Sequence, residues 1–340
     1  NAAQYDAADG GIVLPCYVKE KVYNVKAVFY AADGEESEVS AETYIIGKQI
    51  DDRYDMNVLS IFGDPADLTE ETGILEMNNR STRGQESERE IRITLFDSNG
   101  NTLLNQGCGI RIFGAATRYK NQPSLKLYAR SEYDEQNEFS AVLFQDYDVN
   151  NALINNCKRA IIRNGGDDNG YAHLRSEFAS RLSKDMGYPD ALAASPVCVY
   201  INGQYYGTYW MEETFDESYF RRKYGDYEGR MIVLEDNIGY SEPLETDDEI
   251  LGEMKEEYNV LYPVLAALDL SEESNWEYLN TVIDVDNFLQ YMAIQNYFNN
   301  EDAMVNNFKV YRYYSMNEDY REGTVFDGRY RFILYDLDQT

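Results

Sequence analysis

The sequence predicts an α+β fold in two lobes, and three observations carry that reading. Alternating apolar and polar runs crowd residues 55–130. An Asn202–Gly203 pair separates two further alternating runs. Helical spacing appears at residues 171–186 and again beyond Asp216. Strands and helices that are grouped, not strictly alternated, argue for an antiparallel sheet with helices packed to one side of it.

Taken in order, the first element is a hairpin. Two alternating runs flank the turn at residues 32–34 (ADG), and they read as the tail of a small β-sandwich module over residues 1–46, joined by a linker at 47–54. Residues 91–96 (IRITLF) alternate with period two and enter the turn signal at 97–100 (DSNG). Residues 109–114 (GIRIFG) and 124–130 (SLKLYAR) continue an antiparallel sheet. The period then changes: Leu174, Phe178, Leu182 and Met186 recur at i+4 on one helical face, and Gly187 supplies a C-terminal stop. Asn-Gly between residues 197–201 and 204–211 is the strongest short-range hairpin signal in the chain. Residues 242–258 are densely acidic and read as a solvated helix or loop. Residues 285–298 form an amphipathic helix carrying Val285, Phe288, Leu289, Met292 and Tyr297, with Asp284 placed to cap it. Strands return at 308–314 and 330–335. The main domain is therefore expected over 55–340, with an upper lobe at about 55–211 and a lower lobe at about 212–340. Both chain ends read as cut, so the lower lobe is expected to be truncated.

Composition narrows the function classes. Hydrophobic residues make up 44% of 340, which suits a packed core. No window approaches about twenty uninterrupted apolar residues, so membrane insertion is not expected. Against 30 Lys and Arg stand 61 Asp and Glu, a formal charge of −31. Such a field repels phosphate backbones, which argues against nucleic acid as a partner. Cys16, Cys108, Cys157 and Cys198 lack metal-ligand spacing and read as buried free thiols, with one disulfide open if the protein is secreted. His173 is the only histidine, so acid–base or metal chemistry must use carboxylates.

Two polar clusters near the C-terminus could supply them. Residues 299–307 (NNEDAMVNN) lie between a helix and a strand, and Asp336 and Asp338 follow the apolar run 332–335. Short oxygen-bearing side chains at strand ends suit a hard cation such as Mg²⁺. The interval from Asp302 to Asn307 equals that between catalytic Asp and metal-binding Asn in a protein-kinase loop, and Asp336 falls where a kinase places its second metal-binding Asp. Taken singly, each spacing is common by chance. A second signal is basic. Residues 109–129 hold no acid but carry Arg111, Arg118, Lys120 and Lys126, with Arg130 next. Residues 150–166 are also acid-free and carry Lys158, Arg159 and Arg163 ahead of Gly165 and Gly166. In so acidic a chain these stretches suggest an anion site, a polyphosphate for instance, against the alternative that they pair with surface carboxylates.

These motifs together resemble the CotH (spore coat protein H) kinase-like family. The resemblance rests on residues 109–118, 161–168 (IIRNGGDD), 174–178 (LRSEF), 196–213 (PVCVYINGQYYGTYWMEE), the Asp302/Asn307 pair and 334–338 (LYDLD), in matching order over roughly residues 55–340. The N-terminal hairpin similarly looks like the end of a chitobiase-type β module. The resemblance implies an atypical protein-kinase fold, ATP with Mg²⁺ or Mn²⁺ (Ca²⁺ being the other metal to consider), and phosphoryl transfer to Ser or Thr of a secreted or surface protein in a bacterial extracellular setting. It implies Asp302 as catalytic base and Asn307, Asn306, Asp336 and Asp338 as metal ligands. It also places Met211, Glu212 and Glu213 at the lobe connection beside adenine, Glu177 on the helix that pairs with a phosphate-binding lysine, and Arg118 near the phosphates.

One departure bears on activity. The family usually has lysine directly before the position of Ser124, where this chain has Gln122 and Pro123. Lys126 or Lys120 would have to substitute, or phosphate binding is weakened. The alternative to an active kinase is thus a kinase-like scaffold or adhesion module with a structural metal. A carboxylate-only glycoside hydrolase built on Glu212 and Glu213 is a more distant third reading.

Overall fold

The computed structural model describes residues 11–31, 33–37, 39–48, 50, 54–236, 249–303 and 307–340. It begins with the hairpin β1 (Lys21–Ala27) and β2 (Ser40–Ile46), paired from Lys21↔Ile46 to Ala27↔Ser40. Val22 packs with Val58, Cys198 and Tyr200, so the hairpin lies against the strands that follow.

Those strands are β3 (Asn57–Gly63), β4 (Arg89–Phe96), β5 (Thr102–Phe113), β6 (Ser124–Tyr128), β7 (Arg159–Arg163), β8 (Ala194–Ile201) and β9 (Gln204–Glu212). They close into a barrel in the order β3-β4-β5-β6-β7-β9-β8. Here the sequence reading needs correcting: it anticipated a purely antiparallel sheet. Every neighbouring pair is antiparallel except β3 and β8, which run parallel and seal the barrel, with Asn57 opposite Val197. A parallel pair needs a long crossover, so no local turn signal announces it. Leu59, Ile93, Ile110, Leu125, Ile162 and Val199 belong to the barrel core. The Asn202–Gly203 turn forms as expected, both residues having positive φ (48° and 80°), the geometry a two-residue hairpin requires.

A short helix, α1 (Pro65–Leu68), follows β3, and α2 (Arg175–Asp185) lies between β7 and β8. After β9 come α3 (Glu217–Tyr224), β10 (Arg230–Asp236), α4 (Glu249–Ala266), α5 (Glu273–Val282), α6 (Val285–Phe298), β11 (Phe308–Tyr314) and β12 (Arg331–Ile333). Strands β10, β11 and β12 make a second, three-stranded antiparallel sheet. Asp284 caps α6 by accepting from the Asn287 N–H at 3.2 Å. The architecture is α+β. Among the described residues no helix is long and apolar enough to cross a membrane.

A second core, containing Ala179, Tyr188, Ile232, Tyr291, Val310 and Leu334, joins α2 to the second sheet and α6. Helix α2 is present as read, but its apolar stripe is not what it buries. Leu174, Phe178 and Met186 are exposed, while Ser176, Glu177, Ala179, Ser180 and Ser183 face inward. Small side chains fit the close packing there, and the Leu337 N–H donates to Ser176 Oγ at 3.2 Å. Cys16 also departs from expectation, being exposed, whereas Cys108, Cys157 and Cys198 are buried thiols.

Between the barrel and the second sheet sits Asp190, fully buried. It accepts hydrogen bonds from Tyr311 (2.7 Å), Tyr224 (2.7 Å) and Tyr219 (3.3 Å). Burial raises its carboxyl pKa even against those donors. Its carbonyl accepts the Leu334 N–H at 2.8 Å, which ties the segment after β12 to the segment before β8.

Candidate active site

The acidic segment after β12 is held on both sides. Leu334 bonds to Asp190 and bridges to Ala191, while Leu337 bonds to Ser176 of α2. Between them Asp336 adopts φ +54°, a left-handed conformation sparsely used by residues other than glycine and asparagine or aspartate. Its carboxylate meets the Arg163 guanidinium, which also donates to Asp338 Oδ2 at 2.8 Å. Arg163 is the last residue of β7. Gly165 and Gly166 follow it with φ of +82° and +58°, and a side chain on Gly166 would collide with both Asp338 and Arg163. That missing Cβ lets the Asp167 N–H reach Asp338 Oδ2 at 2.8 Å.

Charge is concentrated here. Arg163 is buried, with Nε 3.9 Å from Glu212 Oε1, and it also feels Glu177. Burial pushes Glu212 well above the usual carboxylate range; Arg163 opposes this, and Glu177 and Asp336 add to it. Burial and then the neighbouring Asp336 raise Asp338 to about 7, against the pull of Arg163. Burial also works against ionisation of Asp336, but Arg163 outweighs it and holds that carboxyl below its ordinary value. Four carboxylates thus surround one guanidinium. Among buried polar atoms, Glu177 Oε1 and Arg163 Nε have no hydrogen-bond partner.

Arg163, Glu212, Asp336 and Asp338 line a cleft of about 690 Å³ between the barrel and the second sheet. Asp302 and Asn307 lie on it too, with Asn307 Nδ2 donating to Asp302 Oδ2 at 3.3 Å. Lys309 follows on β11, its Nζ 3.9 Å above the Tyr335 ring and 3.3 Å from Glu235. The barrel side of the cleft also carries the turn after β5 from Gly114 to Thr117, and Lys126 on β6, which pairs with Ile161 of β7. Glu212 to Asp216, leaving β9 toward α3, line the cleft with apolar Leu192, Ile161 and Val233.

The cleft therefore gathers Asp302, Asn307, Asp336, Asp338, Lys126, Glu212 and Glu213 from the sequence-based set. Met211 points instead into the barrel core. Arg118 does not reach the cleft: it is 1% exposed and donates to the carbonyls of Ile112 (3.1 Å), Gly114 (3.2 Å) and Thr82 (3.4 Å), pinning the turn from behind. Glu177 lies behind Glu212 and Arg163, facing an arginine where a lysine was anticipated. Lys120 is held by Gly166 O (2.6 Å) and Asp167 (3.1 Å). Asn306 lies outside the described residues, as does the first part of the acidic stretch at 242–248. Glu213 turns away from Glu212, accepting from the Ala193 N–H at 3.1 Å beside Lys184. The two glutamates therefore do not flank one bond as a glycosidase pair does. Sequence reasoning left Lys309 out of the site, and gave Arg163 only as part of an acid-free basic stretch suggesting an anion site, without a contact to the carboxylates.

A model of the family described as CotH kinase protein matches residues 110–340, from within β5 to the end of the Asp336/Asp338 segment. The chain belongs to the CotH kinase protein family. No curated protein matches it. The CotH match takes in Lys126, Arg163, Glu212, Asp302, Asn307, Asp336 and Asp338, whereas β3 and β4 and the N-terminal hairpin lie ahead of it.

As a cation site the residues fit by donor chemistry. Asp336, Asp338 and Asn307 offer oxygen ligands of the kind Mg²⁺ and Mn²⁺ take. Among the described residues no three His, Cys, Asp or Glu side chains converge into a ready-made cage. A cation held here would therefore need further oxygens, as Mg²⁺ sites completed by water and substrate phosphates do.

Proposed function

We propose that this CotH protein transfers the γ-phosphoryl group of ATP to Ser or Thr hydroxyls of a protein substrate, with Mg²⁺ or Mn²⁺. The observation that carries the reading is the meeting of Asp302, Asn307, Asp336 and Asp338 on one cleft beside the strand-to-helix connection at Glu212–Asp216. In this reading the barrel acts as the upper lobe of a kinase-like pair and the second sheet with its helices as the lower one. The apolar patch of Leu192, Ile161 and Val233 receives the adenine, and the turn from Gly114 to Thr117 covers the phosphates.

Asp302 accepts the proton of the attacking hydroxyl as that oxygen bonds to phosphorus and the bond to the leaving ADP oxygen breaks. Asn307 fixes the orientation of Asp302 through its 3.3 Å hydrogen bond. Asp336 and Asp338, with Asn307, would hold the metal, whose chemistry is to neutralise charge on the phosphate oxygens. Catalysis of this kind is mostly positioning and electrostatics. The acidity of the chain supports a secreted or surface location, which we include in the proposal together with the role of the N-terminal hairpin as the end of a β module.

The test is thermal stability with and without ATP plus Mg²⁺ or Mn²⁺, in wild type and in Asp336→Ala. A ligand at a hundred times its Kd stabilises by about 2.7 kcal/mol, a rise in Tm of several degrees that should vanish in the variant. No shift at millimolar nucleotide in the wild type would overturn the reading.

A further inference from the structure

Arg163 stands where two demands meet. It bridges Asp336 and Asp338, the two carboxylates best placed for a cation, and it lies against Glu177 and Glu212 on its other side. No lysine precedes Ser124, since Gln122 and Pro123 occupy that place; Gln122 is itself committed, its Nε2 donating to Tyr206 O at 2.6 Å. Lys120 is engaged by Gly166 and Asp167. Lys126 lies beside the rings of Phe113 and Tyr128, with Nζ 5.4 and 5.6 Å from their centroids. Among the described residues Arg163 is the cation in direct contact with the Asp336/Asp338 pair, and its Nε is a buried donor without an acceptor.

We propose that Arg163 is a guanidinium latch that couples metal and nucleotide binding in this cleft. With the cleft empty it pairs with Asp336 and Asp338; on loading it moves its charge from those carboxylates to the nucleotide phosphates while a divalent cation takes the carboxylates. The proposal rests on the nucleotide-and-metal reading of the site. The physical argument is charge accounting. A cation entering alone must displace a buried guanidinium and leave it without its strongest partners, which is costly. Phosphates entering with the cation give the guanidinium a bidentate acceptor for which its planar fork is suited. Each ligand therefore binds better when the other is present, and by linkage the gain is reciprocal.

A structural role for Arg163 would make every ligand bind worse when it is removed. The latch predicts opposite signs. Mn²⁺ binding to the whole 340-residue chain would be followed by electron paramagnetic resonance of free Mn²⁺, with and without ADP, correcting for Mn·ADP formed in solution. Wild type should bind Mn²⁺ at least about fivefold more tightly with ADP than without, the lower end of typical coupling between sites. In Arg163→Gln, Mn²⁺ alone should bind several-fold more tightly than in wild type, ADP alone more weakly, and the coupling should approach onefold. Should the glutamine variant not fold, Arg163→Lys carries the same test, because a single ammonium cannot reproduce the two-carboxylate bridge. Unchanged or weaker binding of Mn²⁺ alone in a folded variant overturns the latch. Failure of wild type to bind either Mn²⁺ or ADP overturns the functional reading beneath it.

Discussion

Asn307 Nδ2 donates to Asp302 Oδ2 at 3.3 Å, and the Asn307 backbone N–H reaches back toward the Asp302 carbonyl at 3.5 Å. The two residues therefore hold each other in place on the cleft wall, one oxygen of Asp302 engaged by the amide. A base oriented in this way can present its other oxygen to an incoming hydroxyl.

Asp302→Asn keeps the size of the side chain and removes the proton acceptor. Turnover, measured as ATP-dependent label transfer or basal ADP release, should fall by about 10² to 10⁴, while stabilisation by ATP and Mg²⁺ stays near the wild-type value. Wild-type turnover in this variant would remove Asp302 from the chemistry.

Gly166→Ala tests the close approach of backbone to the acidic segment. At φ +58° an L-residue is strained by roughly 1–2 kcal/mol, and its Cβ would in addition strike Asp338 and Arg163. Loss of Tm together with loss of Mn²⁺ binding is expected. A variant that binds Mn²⁺ normally would show that Asp338 does not need this contact.

The pH dependence of stability should carry two opposite signatures. Asp327 accepts from Arg329 and Arg331, each at 2.8 Å, and despite the cost of burial these partners lower its carboxyl pKa. Its contribution is complete above the unfolded carboxylate value, about 3.9, and is lost as pH falls through the folded one. Asp327→Asn should thus lower Tm at neutral pH, by a loss of about 1–3 kcal/mol, with the deficit closing in acid. Asp338 is the reverse case: raised to about 7, it binds a proton in the folded state that the unfolded chain has released, so stability declines as pH rises from about 4 to about 7. Asp338→Asn should flatten that slope in metal-free buffer; an unchanged slope would place the titration elsewhere.

Helix α2 offers a test of which face is inside. Phe178 is exposed and Ala179 fully buried. Phe178→Lys should change stability by no more than about 0.5 kcal/mol, whereas Ala179→Leu should cost about 1–3 kcal/mol through overpacking. Chemical denaturation of both variants decides between this orientation and the one its apolar spacing suggests.

Legibility in the sequence followed the range of the interaction. The Asn202–Gly203 turn, the Asp284 cap and the strands β4, β5, β6, β8 and β9 could be read because their causes lie within a few residues. The pairing of β3 with β8 could not, since its partners are more than 130 positions apart and share no turn. On the cleft, Asp302, Asn307 and Asp336 were readable because order and spacing carry them. Arg118 and Arg163 look alike in sequence, each a basic residue in an acid-free stretch near glycine. Only folding distinguishes them, sending one to the backbone carbonyls behind a turn and the other to a pair of carboxylates.

By itself, then, the sequence determined the α+β composition of elements, the local turns and caps, and the oxygen-bearing residues Asp302, Asn307, Asp336 and Asp338 that meet on one cleft. Tertiary structure decided that the first sheet closes into a barrel, that α2 turns its serines and Glu177 inward, and that Arg163 stands in contact with Asp336 and Asp338. The physical reason is common to all three. Backbone preference is a short-range property, but the environment of a buried charge is set by residues distant in the chain, and it is that environment which gives the cleft its chemistry.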